Sequence, residues 1–236
     1  MHHVELDRWS RGRSLLHARD ARVKILLLVA YLAAVATSPR VSVAWLAVYG
    51  FPLLAAVLVA DLPVGAVLLR AAVVLPFSAA FAVASVVAGD SQRAAALALK
   101  SYLSAAAVLV LMGTTPLGRL LRGLERLRVP GFLILVVQFL HRYLFVLSEQ
   151  AQHMRLAALC RGGWSFRQAA GGVAVLFARS YDRAEGIHQA MLARGFAGRA
   201  ASPEPARAGW KDWLFLLAGL ALVAALRFFL GGVWSR

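Results

Sequence analysis

The 236-residue sequence predicts an all-α, polytopic membrane helix bundle of about five spans, with a large cytoplasmic helical insertion before the last span. Three observations lead there. The chain is 61% hydrophobic, only 16% charged and has a mean hydropathy of +0.69, whereas soluble domains carry about 25% charged residues. The missing charge is concentrated in apolar runs close to the roughly 20 residues that cross a bilayer. The net charge of +15 lies between those runs rather than on a soluble module. That placement argues against a nucleic-acid-binding domain and fits a positive-inside membrane protein.

Residues 1–22 form a basic, polar head containing Arg8, Arg11, Arg13, Arg19 and Arg22. It is too polar for a cleavable signal, and no small-residue cleavage pattern follows a short apolar core. The run 23–37 is short but extendable into its flanks, and 41–60 has no charge. The run 64–88 carries Arg70 near one end and Pro76 as an expected kink. Next, 94–112 carries Lys100 in its first third, and 213–230 closes the set with Arg227 near its end. Arg70 and Lys100 lie close enough to span ends to snorkel. Trp213 and Trp234, about 32 Å apart along a helix, place an indole at each interface of the last span. The small residues Ala79, Ala80, Ala82, Ala84, Ser85 and Ala88 favour close helix packing.

A sixth apolar run, 131–147, contains Gln138, His141 and Arg142. Charge distribution decides its placement. Of the 26 Lys and Arg residues, six lie in the N-terminal head through Lys24, four in 114–130 and nine in 148–211. If 131–147 crossed, the second and third groups would face opposite sides. The run is therefore expected to lie at the membrane surface or under the bundle, with all three groups cytoplasmic. The expected organisation is a basic segment 1–22, four spans in 23–113, an insertion over 114–209, and a last span in 210–236.

The insertion carries two similar segments. One is Leu159-Cys160-Arg161-Gly162-Gly163-Trp164, and the other is Leu192-Ala193-Arg194-Gly195-Phe196. Each ends a helical stretch with a small residue, an arginine and a glycine. The second stretch is expected over 180–194 with Ser180 as N-cap, and it places Tyr181, Ala184, Ile187 or His188, and Met191 on one stripe. An arginine in a last turn followed by glycine is ordinary helix-ending chemistry. A pair of such ends on one chain has a further use. A small residue permits close approach, and an exposed arginine can fork onto a carboxylate of a partner. Two ends suit a partner that offers the same groove twice.

These segments resemble the Ala-Arg-Gly motifs of the transmembrane T component of energy-coupling-factor importers, specifically the cobalt/nickel branch, the CbiQ family. The resemblance also rests on Asp7-Arg8-Trp9-Ser10, on the stretch from Leu16 to Lys24 (Leu-His-Ala-Arg-Asp-Ala-Arg-Val-Lys), on Arg142-Tyr143-Leu144-Phe145-Val146-Leu147, on Asp182-Arg183-Ala184-Glu185 and on Ala190-Met191-Leu192 ahead of the second motif. It covers roughly residues 5–199. It implies a non-enzymatic coupling subunit of a bacterial inner membrane, without a cofactor of its own. The implied partners are an ATPase dimer of two ATP-binding subunits and an integral membrane metal-capture subunit. Cys160, Arg161 and Gly162 would dock one ATPase subunit, and Ala193, Arg194 and Gly195 the other. Cys160 stands where the family has alanine.

Absences agree with that reading. The sequence has no Walker-type phosphate loop, no Gly-x-Ser-x-Gly, no His-Glu-x-x-His and no cysteine pair. With Cys160 as the sole cysteine, no intrachain disulfide is possible. None of the six histidines pairs at ligand spacing within a span. His2 and His3 beside a free amine could chelate Ni²⁺ or Cu²⁺, although a disordered terminus explains them as well. Two other readings are a vitamin importer's T component and an intramembrane enzyme using His141, Arg142, Glu149, His153 and Arg155. A self-contained secondary transporter would show repeated halves or broken helices, which the span pattern lacks.

Overall fold

The computed structural model describes residues 9, 10, 12, 14–38, 43–87, 89–163, 165–196, 198 and 209–233. Each of the five runs coincides with helix: α1 (Ala21–Ala36), α2 (Val43–Val59), α3 (Val64–Ala71) with α4 (Leu75–Val87), α5 (Ser91–Thr114) and α9 (Trp210–Val233). Between α5 and α9 lie α6 (Leu117–Arg126), α7 (Gly131–Cys160) and α8 (Phe166–Ala193). No strand occurs among the described residues. By length and composition, Val64–Val87, Gln92–Thr114 and Gly131–Cys160 can cross a membrane, and Val48–Val59 is a shorter apolar helical stretch. The protein is an all-α membrane helix bundle.

Proline explains the one interrupted span. A proline lacks the N–H that would bond four residues back, and Pro76 therefore leaves the Ala72 carbonyl without its helical partner. The chain tightens into a 3₁₀ turn over Ala72–Val74 before α4 resumes. The expected kink at Pro76 thus takes the form of a single tight turn. Pro52 sits inside α2 without ending it.

The chain forms two compact units, residues 1–127 with 206–236, and residues 128–205. In the first unit, α1 is packed by its neighbours along its length. Tyr31, Ala34 and Val35 join Trp45, Tyr49, Leu103 and Ala107 in one core cluster, and the Tyr31 hydroxyl donates to the Tyr49 carbonyl at 3.0 Å. Against α1 lies α9, where a Cβ at Gly219 would come within 2.5 Å of Leu27. Helix α6 packs on α1, with Gly123 against Ala21.

The far end of α1 is tied by the span cations. Lys100 Nζ donates to the Ala36 carbonyl at 3.2 Å and to the Ser38 carbonyl at 2.6 Å. Arg227 donates to the Thr37 hydroxyl at 2.7 Å. A cation at the carbonyl end of a helix offsets the partial negative charge there, so Lys100 has a structural role beyond snorkelling. Arg70 likewise stacks over the Trp9 indole, 4.3 Å from its centroid.

In the second unit, the run 131–147 is the first half of the 30-residue α7, about 45 Å long, because no proline or glycine interrupts the sequence before Gly162. One expectation changes here: Ser180 is not an N-cap. It lies inside α8 with its hydroxyl donating to the Phe177 carbonyl at 2.7 Å, and the helix begins at Phe166 after Ser165. Trp164, Trp234, Ala88, His2 and His3 lie outside the described residues.

The close approach at Gly219 makes a defined prediction. Gly219→Val overpacks the α1–α9 contact and should destabilise the bundle by about 1–3 kcal/mol, and Leu27→Ala in the same chain should recover part of the loss. Thermal unfolding of the detergent-solubilised protein reads both.

Candidate functional site

The two Arg-Gly segments fold into the same structure. At the end of α7, Gly162 N–H donates to the Leu159 carbonyl at 3.3 Å and Gly163 N–H to the Ala158 carbonyl at 3.3 Å. At the end of α8, Gly195 N–H donates to the Leu192 carbonyl at 2.9 Å and Phe196 N–H to the Met191 carbonyl at 3.0 Å. Both are Schellman motifs, in which nested bonds close the last turn and a residue of positive φ follows the cap. Gly162 has φ +105° and Gly195 has φ +73°, a region that costs a residue with a Cβ about 1–2 kcal/mol. Both glycines thus occupy the positive-φ position that follows the cap.

This geometry fixes the neighbouring residues. Arg161 and Arg194 are the caps of their helices, and both side chains are exposed. Cys160 is the last helical residue before its arginine, the place that Ala193 holds in the second segment. It is free and exposed, so its thiol fills no local cavity. Phe196 occupies the position at which Schellman motifs carry an apolar residue. The first segment has Gly163 there instead.

The first end leads directly into the start of α8. The Ser165 hydroxyl accepts from Gln168 N–H at 3.3 Å, while the Gln168 side chain accepts from Ser165 N–H at 2.9 Å. This capping box satisfies two N-terminal donors at once. Its signature, Ser-Phe-Arg-Gln, was visible in the sequence and identifies the true start of the helix. A helix stop and a helix start only a few residues apart make α7 and α8 a helical hairpin.

Inside the hairpin, a cavity of about 310 Å³ is lined by Phe139, Leu140, Tyr143 and Leu147 of α7 and by Ser180, Arg183, Ala184, Ile187 and Met191 of α8. The expected stripe is therefore only partly right. Ala184, Ile187 and Met191 face the cavity, while Tyr181 is 67% exposed. Phe166, Val173 and Phe177 of α8 are also exposed, an apolar surface that marks lipid or partner contact.

The residues of the alternative site around His141 lie along α7. His141, Arg142, Glu149, His153 and Arg155 are all exposed. The ring contacts of the first two are to neighbours on α7: His141 to Phe145 at 5.2 Å and Arg142 to Tyr143 at 5.9 Å. Among the described residues, no group of three or more His, Cys, Asp or Glu could hold a metal ion.

A second polar constellation, unassigned from the sequence, lies where the N-terminal segment crosses the bundle. His17 is buried, and its Nε2 lies 2.9 Å from the Trp9 carbonyl and 3.3 Å from the Gly113 carbonyl. Two acceptors at Nε2 require the proton on that nitrogen. Arg119 donates to the His17 carbonyl at 2.9 Å. Lys24, also buried, donates to the Thr114 carbonyl at 3.1 Å and the Thr115 hydroxyl at 3.0 Å. Asp20 pairs with Arg126, and Arg19 with Asp212, each at 3.7 Å. Burial and then Arg22 hold the Arg126 guanidinium below its usual pKa, while Asp20 raises it. The motif from Leu16 to Lys24 could have flagged these residues, but their partners are up to 193 positions away.

Together, the bundle and the hairpin define a polytopic all-α membrane protein that presents two matched arginine helix ends. Residues 12–206 match the family model of the cobalt transport protein CbiQ, and the chain belongs to that family. It is 34% identical over 141 residues to the cobalt transport protein CbiQ of Rhodobacter capsulatus, covering 56% of this chain and 57% of the relative. It is 29% identical over 97 residues to an uncharacterized protein of Methanocaldococcus jannaschii, covering 39% of this chain and 36% of the relative. The matched stretches thus span little more than half of the first relative and about a third of the second.

The positive-φ glycines support a direct test. Gly195→Ala should loosen the end of α8 by about 1–2 kcal/mol. Amide hydrogen exchange at residues 195 and 196 should then accelerate roughly 5- to 30-fold, with α1 and α5 unaffected.

Proposed function

We propose that this chain is the transmembrane coupling subunit of an ATP-driven energy-coupling-factor importer for cobalt or nickel ions. The observation that carries this reading is the pair of Schellman-terminated helix ends, each presenting an exposed arginine, within one hairpin. Membership of the cobalt transport family supplies the substrate class.

In this reading, Arg161 and Arg194 insert into equivalent grooves on two ATP-binding subunits. The guanidinium is suited to this because its planar fork bonds a carboxylate bidentately. Gly162 and Gly195 leave no side chain beside it, and Cys160 and Ala193 are small enough for the helix end to seat closely. A change in the separation of the two ATPase subunits would then move the ends of α7 and α8. The spans and a membrane-embedded capture subunit would receive that motion, and the ion would pass without being held by this chain. In this reading the helix ends of the hairpin face the cytoplasm of a bacterial inner membrane, which the positive-inside charge distribution supports. A vitamin importer would use the same docking chemistry, so substrate is decided by which ion or vitamin the complete assembly accumulates.

Arg161→Glu and Arg194→Glu reverse the charge at each contact. Either variant should insert normally yet lose copurification of the ATPase and accumulation of radiolabelled Co²⁺. Assembly and transport at the unmodified level in both variants would overturn the proposal.

A further inference from the structure

The motif Arg19-Asp20, which the docking proposed above does not use, lies where the chain leaves and re-enters the first unit. The first unit is left by the chain after α6 and re-entered before α9, with residues 128–205 inserted between. The last residue of α6, Arg126, is paired to Asp20. The first turn of α9 contains Asp212, which is paired to Arg19. Two consecutive residues therefore hold the outgoing and the returning crossing of the insertion.

Both carboxylates are also used twice. Asp20 Oδ1 accepts from Arg22 N–H at 3.0 Å, capping α1, while Oδ2 faces Arg126. Asp212 Oδ2 accepts from Gly209 N–H at 3.0 Å at the start of α9, while Oδ1 faces Arg19. Each acid joins a helix start to an arginine of another segment. The strap carrying them is fixed to the α5–α6 junction through His17, Lys24 and Arg119. Arg19 further lies over the Phe215 ring of α9 at 5.6 Å. Partly exposed ion pairs of this kind add little to stability. What they do fix is the registration of two chain crossings against one point on α1.

We propose that Arg19 and Asp20 form a double clasp of positioning residues, through which displacement of the inserted unit is delivered to α1 and the spans. This rests on the coupling reading above. The clasp ties the end of α6 and the start of α9, the two helices that flank the insertion in sequence, to one strap ahead of α1. With the pairs broken, ATP would still be hydrolysed, but the spans would follow less.

The test uses the complete importer, co-expressed with its ATPase and capture subunits. Arg19→Gln with Arg126→Gln removes both cations, and Asp20→Asn with Asp212→Asn removes both anions while keeping cap oxygens, since asparagine caps helices as well as aspartate. Each pair of changes should leave complex yield and ATP hydrolysis unaltered and lower radiolabelled Co²⁺ uptake per ATP hydrolysed by about five- to tenfold, the range of a modest coupling energy. Arg19→Lys with Arg126→Lys keeps the charges and should retain most of the coupling. The inference is overturned if the Gln and Asn variants couple as the unmodified complex does. It is equally overturned if uptake falls only in step with complex yield, or if the Lys variant is as defective as the Gln variant. An unmodified chain that recovers no ATPase would overturn the coupling reading itself, whereas intact coupling in every variant sinks only the clasp.

Discussion

The ammonium of Lys24, closed off from solvent between α1 and the end of α5, is the constraint around which the membrane bundle is organised. A buried charge without partners costs several kcal/mol. Here it meets the Thr114 carbonyl and the Thr115 hydroxyl, at the end of a 24-residue helix whose carbonyls carry partial negative charge. The same junction receives His17 through the Gly113 carbonyl. The N-terminal segment is thereby drawn into the protein, and α1 is fixed at the level at which its other end meets Lys100 and Arg227. Polar contacts at the two ends set the height of α1, and apolar packing around Tyr31 and Tyr49 fills the space between.

The inserted hairpin obeys a different logic. None of the residues of α8 is fully buried, and the interior between α7 and α8 contains a cavity rather than a filled core. Its definition comes from local chemistry at its ends: two Schellman stops and one capping box. Such ends are specified by a few adjacent residues and do not need a large core behind them. This suits an element whose apolar faces are available to lipid or to other subunits. Cys160, exposed at the end of α7, holds the place that Ala193 holds at the end of α8.

Much of this was legible in the sequence because the signals are local. Apolar runs fixed where helices would lie, since a backbone in lipid must satisfy its own hydrogen bonds. Arg-Gly at 161–162 and 194–195 announced two helix ends, since only glycine enters the left-handed region without penalty. Pro76 announced an interruption of its run, which takes the form of the 3₁₀ turn at 72–74. The error at Ser180 had an equally local remedy, the Ser-x-x-Gln pattern at 165–168.

The sequence by itself determined the helical membrane class, the helix stops and the exposed arginines, because each follows from hydropathy, backbone conformation or charge within a few residues. Only the tertiary structure decided that α6 belongs with α1, that Lys100 and Arg227 tie down the end of α1, and that Arg19 and Asp20 hold both crossings of the insertion. Those pairings join residues 62 to 193 positions apart. No periodicity records them, because a charged residue at a helix end looks the same whether it faces water, lipid headgroups or a distant partner. Folding brought the partners together and gave those charges a specific use.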